Sequence, residues 1–396
     1  MSGSLNGIYN NTSYALNLNT EAIGTLQEQV SSGSRVNRAS DDPSAAYQIL
    51  ELNSQQKSLE NYMNNIDDIS SILDTSTSTI QNMVSEISNT KVSLNQLLSG
   101  TYDETGRKSL ASQINDTLEQ MVSQANTQYL GQYIFGGDNT SSAPYVAQRT
   151  NGEITSVTYQ GGSQQRNVEV APGVQSSAYC VGEDLFSSND RSTPTFLGST
   201  GAAAGSGTSS IKGTAWLTVT KDSNNHYNLS IDGGPVVDVS TASDPSNVAV
   251  KNSSGQVLYV DTTHIVGTGV NMVTVPGTCD IFNTLITVRD LLENKQGFSE
   301  SQLSTFRDGL STSLDEVNNL LVGKETSMGS KINYLDKLKT SLDNIKSNTT
   351  DQTTTIQQAD IAQLSIDLAR RQTLYQMSLA VAAKLMSTSL LDYMPV

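Results

Sequence analysis

Cysteine is nearly absent from this sequence, which leaves no material for a disulfide framework. Among 396 residues only Cys180 and Cys279 are thiols, 99 positions apart. Histidine is as scarce: His226 and His264 are the only two, and with two cysteines they make a poor zinc set. Positive charge is short as well, with 23 Lys and Arg against 39 Asp and Glu and a net charge of −16. That balance argues against a nucleic-acid partner, because phosphate binding needs clustered cations that release counterions. No window approaches 18 consecutive apolar residues, so no segment is expected to span a membrane. The opening stretch "MSGSLNGIYNNTSYALNLNT" has no cationic start followed by an apolar run, and no Sec-type signal peptide is expected in it. Only 36% of residues are hydrophobic. Such a chain is poor material for one large core, and its length fits two or three domains.

The breakers are unevenly spread. Six of the eight prolines fall between Pro144 and Pro276, while Ser44–Ser99 and Ser330–Met394 contain neither Pro nor Gly. Two long helical arms therefore enclose a middle rich in Gly, Pro, Thr and Val. In the first arm Leu52, Leu59, Ile66, Leu73, Ile80, Ile87 and Leu94 recur every seven residues without a miss. A second track three positions on reads Gln55, Tyr62, Ile69, Ser76, Met83, Thr90 and Leu97. This is an a/d seam with polar interruptions, and a strict seven-residue repeat implies a left-handed supercoil with partner helices. At 1.5 Å per residue the arm would be a rod roughly 80 Å long.

Gly100 and Gly106 bound an expected loop, and a shorter helix follows with Leu110, Ile114, Leu118, Met121, Val122 and Ala125. From Tyr145 the period changes. "EITSVTYQGGSQQRNVEVAPG" alternates about a Gly-Gly pair and predicts one β-hairpin. "SSNDRSTPTFLGSTGAAAGSGTSS" has the composition of a flexible linker. "WLTVTKDSNNHYNLSIDGGPVVDVS" and "QVLYVDTTHIV" predict further strands. Helical spacing returns at "CDIFNTLITVRDLLE" and runs through Leu303, Phe306, Leu310, Leu314, Val317 and Leu321 to Ile332, Leu335, Leu338, Leu342 and Ile345. The polar "SNTTDQTTTIQQ" predicts either an exposed helical turn or a hinge.

Both ends carry helical patterns of a different quality. Ile8, Thr12, Ala15, Asn19, Ala22 and Leu26 are spaced 4-3-4-3-4, but Thr and Asn on the seam make this helix marginal in isolation. From Ile361 to Leu391 apolar residues cover more than one face. Ile361, Leu364, Leu368, Tyr375, Ala382 and Leu385 lie on one track, with Leu374, Leu379, Val381 and Met386 on others. Such a helix must be buried broadly or bind partners, and burial between subunits is favoured because only the weak N-terminal helix is at hand to cover it. The expected interface residues are Ile8, Ala15, Ala22, Leu26, Leu364, Leu368, Leu374, Tyr375, Val381 and Leu385.

Candidates for chemistry are few. "SSGSRVNRASDDP" crowds Arg35 and Arg38 against Asp41 and Asp42 and invites reading as a metal or phosphate site. The structural reading is stronger. Pro43 suits the first helical turn, Asp42 before it can cap the free amides, and Asp41 is favoured by the helix dipole. Ser32, Gly33, Arg35, Asn37, Arg38, Asp41, Asp42 and Pro43 are thus expected to form a connector. His226 and His264 have no HxxxH or paired carboxylates close in sequence and read as surface or packing residues. "GSTGAAAGSG" lacks the Lys-Ser/Thr of a phosphate loop. No nucleophile–base set stands out, and neither a catalytic residue nor a cofactor is expected.

"LQEQVSSGSRVNRASDDPSAAYQI" resembles the N-terminal signature of the bacterial flagellin superfamily: a helix, SSG-x-R-[IV]-N, A-x-DD-[PA], then a long helix. "TTIQQADIAQLSIDLARRQTLYQMSLAVAAKLMSTSLLDYM" is similar to that family's C-terminal helix, in which a short acidic-Ala motif precedes the partner of the N-terminal segment. "YLGQYIFGG", "GEDLF", "DIFNTLITVRDLLE" and the ending "SLLDYM" resemble the branch that joins hook to filament more than they resemble filament subunits. The resemblance covers about 1–186 and 279–396; the segment between departs from the pattern.

The resemblance implies a mainly α fold with an inserted β region. Long N- and C-terminal helices would form a helical rod, with a small β domain at the distal end. The domains expected are a terminal assembly domain (1–42 and 350–396), a rod (43–143 and 280–349), a hairpin region (144–186) and an outer β-rich insert (187–279). It also implies a structural, non-enzymatic role: a homo-oligomeric ring with hook-associated protein 1 on the hook side and flagellin on the filament side. Export would be by the flagellar type III apparatus without a cleaved signal, with room for an export chaperone. A filament flagellin, or a secreted adhesin or enzyme with flagellin-like ends, are the alternatives. The cysteines at the insert's edges are a further departure, and a Cys180–Cys279 bridge would require the insert to bring its ends together.

Overall fold

The structure, a computed structural model, describes residues 2–96 and 104–391. The chain divides into two compact units, Met1–Asn64 with Leu338–Val396, and Asn65–Lys337. The division falls inside the two longest helices, α2 (Pro43–Gln96) and α6 (Glu300–Gln357).

The first unit is entirely helical. Helices α1 (Ser2–Ser32) and α7 (Ile361–Leu391) pack against each other, as do the unit's portions of α2 and α6. In the latter pair Gln56 Nε2 donates to Thr350 Oγ1 at 3.0 Å, and Glu60 pairs with Lys346 at 2.8 Å. Four residues up α2 match four residues down α6, so the two run antiparallel. Of the two expectations for the polar stretch 347–358, the exposed helical turn holds and the hinge does not: α6 runs unbroken to Gln357 with most side chains exposed, and only Thr349 and Thr353 are buried. Their hydroxyls donate to the carbonyls of Ile345 and Thr349, both at 2.8 Å. A threonine that bonds its own helix in this way can occupy a buried seam without a stranded donor.

The second unit holds the deepest part of the heptad seam. Ile66, Leu73, Ile80, Ile87 and Leu94 are buried to within 1%, and so are Ile69, Ser76, Met83 and Thr90 on the second track. Leu97 and Gly100 lie outside the described residues. Ser76 escapes the penalty for a buried hydroxyl by donating to Ile72 O at 2.8 Å. Leu303, Phe306, Leu310, Leu314, Val317 and Leu321 on α6 are fully buried. Gln81 Nε2 donates to Glu325 at 2.7 Å and Lys91 pairs with Asp315 at 2.5 Å, an antiparallel match again. Helix α3 (Glu104–Ala125) takes in Gly106 within its first turn rather than leaving it in a loop, and packs on α5 (Ile281–Glu293).

The expected single hairpin is instead two. Strands β1 (Gln128–Tyr129) and β2 (Gln132–Tyr133) form a short ribbon; β3 (Tyr145–Thr150) then pairs with β4 (Glu153–Tyr159), and β5 (Arg166–Ala171) with β6 (Val174–Tyr179). The turns fall at Asn151-Gly152, both with positive φ, and at Pro172-Gly173. Asn-Gly suits a tight hairpin because both residues tolerate the left-handed region. The Gly161-Gly162 pair is used for close packing. Gly162 N–H donates to Gly136 O at 2.8 Å, and a Cβ there would lie 1.6 Å from Asp138 Oδ1.

Three of the fragments quoted above converge here. Phe135 of "QYIFGG", Phe186 of α4 (Gly182–Phe186) and Phe282 of α5 form one aromatic cluster with Tyr145, ring centroids 5.0–6.3 Å apart. Burial pushes the Tyr145 phenol well above its usual range. A polar knot lies beside it. Buried Arg289 donates to Asn115 Oδ1 at 3.0 Å and to Ile154 O at 2.6 Å, joining α3, α5 and β4. Asp280 caps α5 through Asn283 N–H at 2.7 Å.

The β-rich insert has its own core. One antiparallel sheet has the order β11 (Val237–Asp238), β10 (Tyr227–Ile231), β9 (Gly213–Lys221), β14 (Gly269–Val275), β7 (Thr195–Leu197). A second has the order β12 (Val248–Lys251), β13 (Val257–Asp261), β8 (Ala203–Ala204). Leu217, Val219, Leu229 and Ile231 of the first share a buried cluster with Val250, Leu258 and Val260 of the second. The linker expected at 187–210 is not one: it supplies β7 and β8, and Thr200, Ala202 and Ser209 are buried. Small residues there allow close backbone approach, which composition alone does not separate from flexibility. The insert's ends meet, since Ser188 N–H donates to Cys279 O at 2.8 Å and Ser192 N–H to Pro276 O at 2.9 Å. Trp216 stacks on Phe298 and meets Phe306 edge-on, centroids 5.4 and 5.3 Å apart, seating the first sheet on α6.

Truncation of Leu73 to Ala should therefore cost about 2–5 kcal/mol, read by chemical denaturation, since it empties a fully buried seam position; a change well under 1 kcal/mol would mean the seam collapses freely around the gap. A pH-dependent effect is expected on the face of α3. Arg149 holds Glu119 in a two-pronged pair at 2.7 and 2.6 Å, and its hydrogen bonds keep that carboxyl below its ordinary value. A depressed carboxylate stabilises the fold above its unfolded pKa and loses that contribution as pH falls through the folded one. Glu119→Gln should be less stable than the parent at pH 7, and the gap should close below the ordinary glutamate range.

Candidate assembly interface

The crowded charges of "SSGSRVNRASDDP" form a joint. Helix α1 ends at Ser32, and Gly33 turns the chain with φ +68° while its N–H donates back to Gln29 O at 2.9 Å. This is the left-handed helix stop that glycine favours. Asp41 Oδ2 accepts from the N–H groups of Asn37 at 3.0 Å and Arg38 at 2.8 Å, closing the loop on itself. Asn37 Nδ2 reaches Ser34 O at 3.3 Å. Asp42 caps α2 by accepting from Ala45 N–H at 3.0 Å, and Pro43 occupies the first helical position. That backbone bond, then the one from Arg35, holds the Asp42 carboxyl below its usual value. Arg35 pairs with Asp42 at 2.9 Å and Arg38 with Glu28 at 3.0 Å. Both arginines are satisfied within the chain, so the crowding neutralises itself.

The joint has a counterpart that sequence reasoning passed over. Between α6 and α7 the chain breaks at Gln358–Asp360, and Asp360 caps α7 through Gln363 N–H at 3.0 Å. The two breaks touch. Arg35 N–H donates to Gln357 O at 2.6 Å and Ala359 N–H to Gly33 O at 3.1 Å, a single antiparallel bridge centred on Ser34 and Gln358. The signal was present in "QQADI", an aspartate one residue before an apolar helical run.

Beyond the joint α1 and α7 run side by side. Arg371 Nη1 donates to Asn19 Oδ1 at 3.2 Å. Ala15, Ala22 and Leu26 on α1, and Leu364, Leu368 and Tyr375 on α7, are half-buried. Among the described residues neither helix has one fully buried side chain. Leu374 and Val381 are exposed, and with Thr12, Ala15 and Met377 they line an open groove of about 410 Å³. Ile366, more than 60% exposed like Met377, extends this apolar surface along α7, and Tyr9, Tyr14 and Leu18 are exposed on α1. The expected residues thus fall into two sets, a seam within the chain and a bare outer face. Side chains of Ile8 and Leu385 lie outside the described residues. The sequence track through α7 missed Ile366 and Met377, which a plot of every apolar residue around the helix would have found.

Both cysteines are free thiols, with no Cys180–Cys279 bridge. The insert does bring its ends together, but Cys180 belongs to the end of the preceding hairpin and accepts at its carbonyl from Gly137 N–H at 3.0 Å. Burial, then Glu316, pushes the Cys279 thiol up to about 11, an inert setting. No helix among the described residues is long and apolar enough to cross a membrane.

Residues 4–140 match the bacterial flagellin N-terminal helical region, and residues 311–394 match the bacterial flagellin C-terminal helical region. A flagellar hook-associated protein 3 of Escherichia coli K12 is 28% identical over 162 residues, 41% of this chain and 49% of the relative. One from Salmonella typhimurium LT2 is 30% identical over 146 residues, 37% of this chain and 44% of the relative. The chain therefore spans less than half the length of each of these relatives. A crystal structure of flagellar hook associated protein-3 from Legionella pneumophila superposes with a TM-score of 0.54 at 16% identity, covering 78% of this chain and 98% of that one. At that identity the likeness is one of fold.

The helix stop offers a clean test. A Cβ at Gly33 would meet nothing within 4 Å, so Gly33→Ala adds backbone strain alone. It should cost about 1–2 kcal/mol in chemical denaturation, with Gly33→Asn costing less. An unchanged midpoint would show that the turn tolerates a right-handed substitute.

Proposed function

The chain belongs to the bacterial flagellin family, and on that premise we propose that it is a structural, non-catalytic subunit joining the flagellar hook to the filament. The observation that supports this reading is the bare outer face of α7. A helix with Ile366, Leu374, Met377 and Val381 exposed, paired through a seam that buries nothing fully, gains most by burial against further helices. The seam itself is built from Ala, Thr and Asn as much as from Leu, so the pairing is weak alone and strengthened by neighbours. Charge supports side-by-side copies: α1 carries Glu21 and Glu28 with no Lys or Arg, whereas α7 carries Arg370, Arg371 and Lys384 against Asp367.

In this reading copies of the chain form a ring outside the cell, with the α1 and α7 ends packed among one another and the joint fixing where α2 begins and α6 ends. The ring takes hook-associated protein 1 on the hook side and flagellin on the filament side. The subunit is exported unfolded by the flagellar type III apparatus, with a chaperone covering the apolar end before export. The two relatives named hook-associated protein 3 favour the junction over the filament itself.

Deletion of the last 30 residues should leave a soluble, folded protein that no longer joins hooks to filaments. Cells carrying only that version should lose filaments and release flagellin monomers into the medium. Normal motility would overturn the reading, and a dominant band in sheared flagella would make the chain a filament subunit instead.

A further inference from the structure

The insert brings one of the two histidines between a pair of carboxylates. Asp222 opens the turn after β9, His226 precedes β10, and Asp238 closes β11. A carboxylate oxygen from each aspartate and a ring nitrogen of His226 lie within 4.8 Å of one another. We propose that Asp222, His226 and Asp238 form a divalent transition-metal site on the insert, with Zn²⁺ the ion that suits it best.

Three features carry this. First, the donors arrive from three points on two strand connections, and the backbone aims them. Asp222 Oδ1 is held by the N–H groups of Asn224 and His226, both at 2.8 Å, and Asp238 Oδ1 by Ser240 N–H at 2.8 Å. One oxygen of each carboxylate is thereby left to face the imidazole; Asp222 Oδ2 is 3.6 Å from His226 Nδ1.

Second, no Lys or Arg is paired with either aspartate among the described residues. The nearest lysine in sequence, Lys221, is turned to Asn225 at 3.0 Å and to the Tyr227 ring at 4.6 Å. Two converging carboxylates without a cationic side chain, in a chain of net charge −16, form a field that a bound cation would relieve. Third, the donor set selects the class of ion. An imidazole with two carboxylates suits Zn²⁺ and its first-row neighbours better than Ca²⁺ or Mg²⁺, which take oxygen donors throughout. Around a tetrahedral zinc with ligands near 2.1 Å, donors sit about 3.4 Å apart. The exposed His226 ring has room to close that distance, and water would complete the coordination. The bound ion would clamp the β9–β10 turn to β11 at the edge of the first sheet.

The test is isothermal titration of the full chain with Zn²⁺ alone, in a non-chelating buffer, beside Mg²⁺. The expected result is one saturable Zn²⁺ per chain and no measurable Mg²⁺ binding. Removing outer-shell partners of a metal typically costs about ten- to a hundredfold in affinity, so His226→Gln and Asp238→Asn should each weaken binding at least about tenfold. His264→Gln, which alters the insert's other histidine, should change nothing. Far-ultraviolet circular dichroism should show all variants folded. Absence of saturable Zn²⁺ binding, or equal affinity in the His226→Gln variant, overturns the site. Equal uptake of Mg²⁺ would reduce it to a general attraction of acidic groups for cations, and overturns it as well.

Discussion

Two helix breaks at opposite ends of the sequence are held together by a pair of backbone hydrogen bonds, between Gly33–Arg35 and Gln357–Ala359. The first unit depends on that bridge. It places the end of α1 beside the start of α7, and the start of α2 beside the end of α6, so each helical pair begins in register from a common point. The bonds are backbone to backbone and need no particular side chain. What the side chains supply is the punctuation: Gly33 stops one helix, and Asp42-Pro43 and Asp360 start two others. Without those stops four helices would have no reason to break at the same level.

The two pairs that leave the joint differ in what they bury. Along α2 and α6 the seam residues are mostly Ile, Leu, Met, Val and Phe with a few polar interruptions, and in the second unit Ile66, Leu73, Ile80, Ile87 and Leu94 on α2 and Leu303 to Leu321 on α6 are sealed to within 1% of full burial. Each such side chain contributes on the order of 1.5–3 kcal/mol when removed from water, so these helices hold together within one chain. Along α1 and α7 the seam is Ala, Thr, Asn and a few Leu, half-buried, and larger apolar groups face away. The chain therefore has one pairing finished within itself and one left unfinished. An unfinished apolar surface on a structural protein is what assembly consumes, and the proposed junction role follows from that contrast rather than from any reactive group.

Much of this was legible before the structure. A seven-residue repeat fixes which face of α2 is buried, because every seventh residue returns to nearly the same side of the helix. Asp42-Pro43 announced a helix start because Pro lacks the N–H that a first turn would leave unbonded. Other features were misread for physical reasons. Ala202, Ser209 and their neighbours looked like a linker, because small residues serve both a flexible chain and a tightly packed one. The polar threonines near the end of α6 left an exposed helical turn and a hinge both open, because a polar stretch has no period to tell the two apart; the helix is continuous, and its two buried hydroxyls bond their own backbone. Gly161-Gly162 looked like a hairpin turn, whereas Asn151-Gly152 and Pro172-Gly173 hold the turns and the glycine pair makes room for the Tyr159 ring and the Asp138 side chain.

The sequence by itself determined the local terms: where helices start and stop, which side of α2 is apolar, and that no disulfide network or membrane-crossing helix could be built from it. These depend on residues within one or two turns of each other. Only the tertiary structure decided what the distant residues do together. It paired Arg38 with Glu28 and Arg35 with Asp42, gathered Phe135, Phe186 and Phe282 into one cluster, set His226 between Asp222 and Asp238, and left the outer face of α7 bare. The ion pairs are close in sequence but need the chain to turn back on itself, and the others rest on contacts between separate elements; neither period nor composition specifies which group meets which.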